Sequence, residues 1–187
     1  PKVVKYLDIP IQHINDDILR KMNRRDRGAD IRALLKKLRE RIPGLVLRTS
    51  LITGLPGEGE AEFEELCEFL REARIERAGV FPLSPEEGTP AAKMPHVDTE
   101  TARERAETVL SLQAEIMDEW ESSLAGSVIE AMCDEYDSET GTARGRAYFD
   151  SPGAGGSVVF PGPCMPGSIV QLRVLSAEDG ELRCELI

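Results

Sequence analysis

Leu47-Arg48-Thr49-Ser50-Leu51-Ile52-Thr53-Gly54-Leu55-Pro56-Gly57-Glu58 decides the fold of this chain. It reads as a strand that runs into a tight Gly-Pro-Gly turn, with a helix starting just beyond. Side chains alternate faces along a strand. Leu45, Leu47 and Leu51 therefore share one face, suited to packing on helices, while Arg48 and Ser50 share the other. In a barrel of parallel strands that second side is the lumen, and polar groups near a strand's carboxyl end mark a ligand site. The glycines allow backbone to come close to such a ligand.

Working outward, residues 3–9 read as a strand, and Asn15 or Asp16 caps a short helix to Met22. Asn23-Arg24-Arg25-Asp26-Arg27-Gly28 is a basic loop. A helix over 29–41 carries Ile31, Leu34, Leu35 and Leu38 on one face and stops at Pro43-Gly44. After the 45–53 strand and its turn, a helix covers 60–73, and Val80 and Phe81 lie in a third strand. Strand, helix, strand, helix, strand implies parallel strands with crossover helices. Beyond the proline-rich loop 82–95, Asp98 caps a long helix to about Leu124, with Val109, Leu112, Ile116 and Trp120 as its apolar stripe.

The pattern changes after Gly126. Residues 128–136, 142–149, 156–160, 169–175 and 181–187 alternate with period two, most clearly Val170, Leu172, Val174 and Leu182, Cys184, Leu186. Turns are expected at 138–141, Pro152-Gly153, 161–163 and Glu178-Asp179-Gly180. About five short antiparallel strands predict a small closed barrel similar to an OB-fold.

The chain has 187 residues, 41% of them hydrophobic, and a net charge of -11. That charge opposes broad binding to phosphate backbones. No apolar run approaches the roughly 20 residues of a membrane span. From Leu124 onward there are ten acids against four arginines and no lysine, a balance of -6. Tyr148 and Phe149 are candidates for stacking on bases, but the charge is wrong for a dedicated RNA binder. None of Cys67, Cys133, Cys164 and Cys184 forms a CxxC pair, which speaks against a zinc or iron–sulfur site within this chain. Cys67 and Cys184 fall on apolar faces and read as buried thiols, consistent with a reducing cytoplasm. The chain starts with Pro1 and enters a strand at once, so a longer protein is expected, with part of the fold outside these residues.

Three segments in order resemble the radical S-adenosylmethionine (SAM) methylthiotransferases. They are Tyr6-Leu7-Asp8-Ile9-Pro10-Ile11-Gln12-His13 followed by Met22-Asn23-Arg24, then Arg48 to Glu58 with Glu62-Phe63, then Ser84-Pro85-Glu86-Glu87-Gly88-Thr89-Pro90-Ala91-Ala92. The resemblance implies an α/β fold: residues 1–123 as the C-terminal half of a TIM-like radical SAM barrel with its trailing helix, and 124–187 as a small all-β antiparallel TRAM domain. It implies SAM as cofactor and two 4Fe-4S clusters in the intact protein. The cluster ligands are absent from this chain, so the fragment alone is expected to be inactive. Gly145-Arg146-Ala147-Tyr148-Phe149-Asp150-Ser151-Pro152, Gly79-Val80-Phe81 and Glu86-Glu87-Gly88 are similar to the branch that adds a methylthio group to the β-carbon of an aspartate in small-subunit ribosomal protein twelve. An acidic terminal domain suits that basic protein better than tRNA, the substrate of the family's other branch. An RNA-binding TRAM module on an inactive barrel is the alternative from a different class.

For the SAM site the resemblance points to Gln12, Arg48, Ser50, Gly54, Gly57 and Phe81. Arg48 would meet the carboxylate or ribose region, Ser50 shares its face, and Gln12 follows a strand end. Gly54 and Gly57 would let backbone approach the adenine, and Phe81 would pack on it. Plain structural readings stand beside these: a surface ion pair for Arg48, barrel filling for Ser50, a turn for the glycines and ordinary core for Phe81. His13 reads as a loop histidine or a catalytic group, and Arg24 and Arg25 as a solvated loop or a substrate contact.

Overall fold

The computed structural model describes residues 3–151, 156–178 and 180–187. The expected turn at Pro152-Gly153 and the Asp179 position lie outside these residues. The chain divides into two compact units, one of Leu7–Ile116 and one that joins Met117–Ile187 to the residues just before Leu7. The division falls inside the long helix.

The first unit is built on strands β1 (Tyr6–Asp8), β2 (Val46–Thr53) and β3 (Arg77–Pro82), in the order β1-β2-β3. β2 and β3 are parallel, with Arg48 opposite Arg77, Ser50 opposite Gly79 and Ile52 opposite Phe81. Beyond β1 the chain keeps to β2 through a parallel bridge from Gln12 to Leu51. The expected first strand is shorter than 3–9: Val3 and Val4 are exposed, with no apolar surface to order them.

Helices α1 (Asp16–Lys21), α2 (Gly28–Arg41) and α3 (Glu60–Ala73) and the first part of α4 (Thr99–Ser122) cover one face of the sheet. Asn15 starts α1, its Oδ1 accepting from the N–H groups of Asp17 and Ile18. Asp98 does the same for α4 through the N–H of Thr101. The core joins Leu45, Leu47 and Leu51 of the sheet to Leu35, Phe63, Leu66, Phe69, Leu70 and Val109 of the helices. Thr49 and Thr53 share the leucines' parity and are as deeply buried. Their hydroxyls donate to Ile9 O at 2.8 Å and Ala102 O at 2.7 Å, which makes burial affordable.

The second unit is a closed barrel of β4 (Val128–Asp137), β5 (Thr142–Ala147), β6 (Ser157–Pro161), β7 (Ile169–Glu178) and β8 (Glu181–Leu186), ordered β4-β5-β6-β8-β7 and closed by β7 on β4. The all-antiparallel expectation needs one correction, because β6 and β8 run parallel. At Gly145 a Cβ would collide with the Met132 carbonyl, so only glycine lets β5 lie this close to β4. β5 stops at Ala147. A turn follows in which the Asp150 carboxylate accepts the Ala147 N–H at 3.0 Å. That turn puts Phe149 into the core at 2% exposure, edge-on to Trp120 at 5.1 Å. Phe149 therefore cannot stack on a base, and Tyr148 is the exposed member of the pair.

Candidate functional site

The face of the sheet away from the helices carries Arg48, Ser50 and Ile52, all half-buried, while Leu47, Thr49, Leu51 and Thr53 on the helix side are buried. The alternation expected for the 47–58 segment is thus present. Arg48 Nη1 pairs with Asp8 Oδ2 at 2.5 Å, across from β2 to β1. Both groups keep partial contact with solvent, so the pair adds little stability, but it fixes where the guanidinium lies.

Phe81 is 55% exposed and is not core. Its ring lies over Gly79, where a Cβ would stand 3.2 Å from the ring edge. Ser50 is the register partner of Gly79. On the other side of β2, Gln12 donates its N–H to Ser50 O at 2.8 Å, and its carbonyl accepts the Ile52 N–H at 2.8 Å. Gln12 does this with φ of 72°, a left-handed conformation that side-chain-bearing residues adopt at some cost. Gln12, Ser50 and Phe81 therefore belong to one band across the sheet, and Arg48 stands one pleat back from Ser50 on the same face.

Gly54 and Gly57 have φ of 78° and 89° and shape the turn after β2. The space beside each is already filled from within the chain. A Cβ on Gly54 would lie 2.5 Å from Ala102 Cβ, and one on Gly57 would overlap the Lys21 ammonium. Packing against α4 requires glycine at Gly54, whereas at Gly57 the flexible Lys21 can move aside and the positive φ is what favours glycine. Arg24 sends Nη2 to the Pro10 carbonyl at 2.8 Å and so anchors its loop.

A buried polar cluster behind this turn was only partly visible in the sequence. Glu58 is 3% exposed, and its Oε1 accepts from Gly54 N at 2.9 Å and from Arg105 Nη1 at 2.9 Å. Arg105 Nη1 also reaches Glu58 O at 3.0 Å, and its guanidinium stacks on Phe63 at 5.0 Å. His13 is fully buried; its Nδ1 accepts the Asn15 N–H at 3.0 Å, so the ring proton sits on Nε2, 3.4 Å from Glu58 Oε2. Burial raises the Glu58 pKa, but the neighbouring His13 Nε2, the Gly54 N–H and Arg105 together outweigh it and leave the carboxyl below its ordinary value. His13 is thus enclosed with its Nε2 facing Glu58 and its Nδ1 on the Asn15 N–H. Glu58 lies inside the quoted motif but drew no role. Arg105 gave a signal that was missed: it shares the buried helix face with Ala102, Ala106 and Val109, where an unpaired charge would not be tolerated.

Cys67, Cys133 and Cys184 are buried, and burial pushes the Cys133 and Cys184 thiols up to about 11. Among the described residues no group of three or more His, Cys, Asp or Glu side chains is arranged to hold a metal ion.

The Radical SAM superfamily model matches residues 2–70. Over its whole length the chain is 42% identical to the ribosomal protein uS12 methylthiotransferase RimO of Geotalea uraniireducens and 43% identical to those of Geobacter sulfurreducens and Syntrophus aciditrophicus, covering 42% of each. Along its whole length the chain is thus similar to radical SAM methylthiotransferases. It spans about two fifths of the length of the curated relatives it matches. Coproporphyrinogen III oxidase (HemN) from Escherichia coli, a radical SAM enzyme, superposes with a TM-score of 0.50 at 21% identity, covering 60% of this chain and 27% of that one. This likeness supports the fold of the parallel-sheet part as a partial radical SAM barrel; the closed β-barrel is a separate unit of the chain.

Proposed function

We propose that this chain is the C-terminal part of a cytoplasmic, iron–sulfur, SAM-dependent methylthiotransferase that modifies the β-carbon of an aspartate in ribosomal protein uS12. Residues 1–123 form one wall of the SAM site, and residues 124–187 act as a TRAM domain that engages the substrate protein. The open face fits an adenosyl ligand. Phe81 offers an exposed ring for a base, its edge resting over Gly79 where a Cβ would crowd it. Ser50 and Gln12 supply polar groups alongside, and Arg48 supplies a cation already oriented by Asp8. The residues present do not fit a cluster: three of the four thiols are buried, and no described trio converges. In this reading both clusters are held by residues outside this chain. When bound, cluster and SAM supply the radical chemistry that removes hydrogen from the aspartate carbon. The part of this chain is to seat the nucleoside and to keep the turn around Gly54 rigid through Glu58.

The observation that carries the choice of partner is in the barrel. Each of its four arginines is paired with a barrel acid: Arg144 with Glu181 at 2.7 Å, Arg146 with Asp134 at 2.8 Å, Arg173 with Glu185 at 3.2 Å and Arg183 with Glu178 at 3.7 Å. No lysine is present there. A domain without a spare cation is poorly equipped for a phosphate backbone and well suited to a basic protein. A cleft lined by Glu135, Asp137 and Tyr136 offers that protein carboxylates.

The test uses full-length protein, iron-loaded and reduced, with SAM and uS12. The expected result is uS12 whose target aspartate has exchanged a hydrogen for a methylthio group. Failure of the loaded protein to cleave SAM would overturn the reading; transfer to tRNA instead of uS12 would overturn the choice of partner.

A further inference from the structure

A cavity of about 260 Å³ lies between α1, the Gly-Pro-Gly turn and the loop after β3, at the carboxyl end of β2. Its walls include Ile52, Leu55, Pro56, Leu83 and Met94, and of all its lining residues Lys21 is the one that carries charge. Lys21 is exposed and pairs with no described carboxylate. Its neighbour Arg20 is satisfied by Asp17 at 2.8 Å, which leaves Lys21 as the spare cation of α1. The Lys21 ammonium rests against Gly57, at the place a side chain would occupy, so the φ of 89° and the missing Cβ of that residue make its seat. A cation held at the edge of an apolar cavity, in a chain of net charge -11, is placed to receive an anion from outside. The apolar walls strengthen such a pairing by thinning the water around it.

We infer that this cavity receives the substrate aspartate side chain and that Lys21 Nζ binds its carboxylate. The inference rests on the proposed function and goes beyond it. Reaction at the β-carbon requires the adjacent carboxylate to be held still; in the proposed site Arg48, oriented by Asp8, serves SAM, and Arg24 anchors its own loop at the Pro10 carbonyl. Lys21 is thus a residue that specifies an acidic side chain over its amide. A carboxylate could also come from the methionyl end of SAM, and the experiment separates the two sources.

Full-length, cluster-loaded protein is titrated with a uS12 peptide bearing the target aspartate and with the same peptide carrying asparagine there. SAM affinity and SAM cleavage are measured in parallel. Lys21→Met removes the charge from an exposed position without opening a core. It is expected to weaken binding of the aspartate peptide about 10- to 100-fold, the range for a charged hydrogen bond. Binding of the asparagine peptide and of SAM stays unchanged, and Lys21→Arg keeps most of the preference for aspartate. An aspartate preference that survives in Lys21→Met overturns the assignment, as does a loss of SAM affinity in place of peptide affinity. Wild-type protein that cleaves no SAM overturns the underlying function and this site with it. Normal cleavage with an intact preference in Lys21→Met overturns this site alone.

Discussion

A carboxylate with almost no access to water stays ionised only where donors replace the water it lost. Glu58 has those donors in Gly54 N, Arg105 and His13. Replacing it with leucine leaves the buried Arg105 with only the exposed Glu60 carboxylate at 3.3 Å as counter-charge, and removing one partner of a buried pair costs up to about 3–5 kcal/mol. Denaturant unfolding measures this, and a loss under about 1 kcal/mol would remove Glu58 from the role assigned to it. The same residue shapes the acid side of the stability curve. Its pKa is lower folded than unfolded, so its contribution is complete above the ordinary value of 4.5 and is lost as pH falls through the folded value. Glu58→Gln is expected to flatten the decline in stability below pH 4.5, relative to wild type; an unchanged slope would count against the ionised cluster. Thiol reactivity follows burial just as directly. Cys164 is the one cysteine not buried, so a thiol-specific reagent is expected to label Cys164 in the native chain and the other three only on unfolding.

At the scale of elements, the turn after β2 depends on how closely it meets α4. Gly54→Ala meets two obstacles: a left-handed φ, costing about 1–2 kcal/mol, and contact with Ala102 at 2.5 Å, where overpacking adds about 1–3 kcal/mol. Gly88 has nearly the same φ, 86°, with nothing within 4 Å of its missing Cβ. Thermal melts of Gly54→Ala and Gly88→Ala therefore isolate the packing term. Gly54→Ala should melt lower, and equal midpoints would show that α4 yields to the turn. The elements themselves were largely legible: α3 covers the expected 60–73, and β2 begins one residue inside the expected 45–53. Period and capping are local signals, so they survive in a single sequence. The parallel pairing of β6 with β8 was not legible, because alternation looks alike whichever way a partner strand runs. The burial of Phe149 escaped for a related reason, since the Asp150 turn that ends β5 redirects the next side chains. At the site, the alternation of Arg48 and Ser50 against the leucines was legible. The pairing of Arg48 with Asp8, 40 residues away, depends on which strands become neighbours and was not.

For the whole molecule, charge decides more than shape. The first unit keeps a basic loop around Arg24, Arg25 and Arg27, while the barrel holds every arginine in an ion pair. Exposed pairs of this kind add little to stability, but they alter recognition, because a phosphate must displace a carboxylate before it can use the guanidinium. The chain of 187 residues is therefore expected to show no saturable binding to tRNA at physiological salt. It should bind uS12 with an affinity that falls as salt rises, since Glu135, Asp137 and their neighbours act through charge screened over about 8 Å at 0.15 M. Titrating the same preparation with both partners at two salt concentrations makes the comparison internal. Charge reversal then sharpens it. Glu181→Lys releases Arg144 and adds a second cation beside it, so it should weaken uS12 binding and bring in measurable, salt-sensitive binding to tRNA. Tight tRNA binding by the unaltered chain would reverse the order of partners, because the cations of the Arg24–Arg27 loop would then outweigh a barrel whose arginines are all paired.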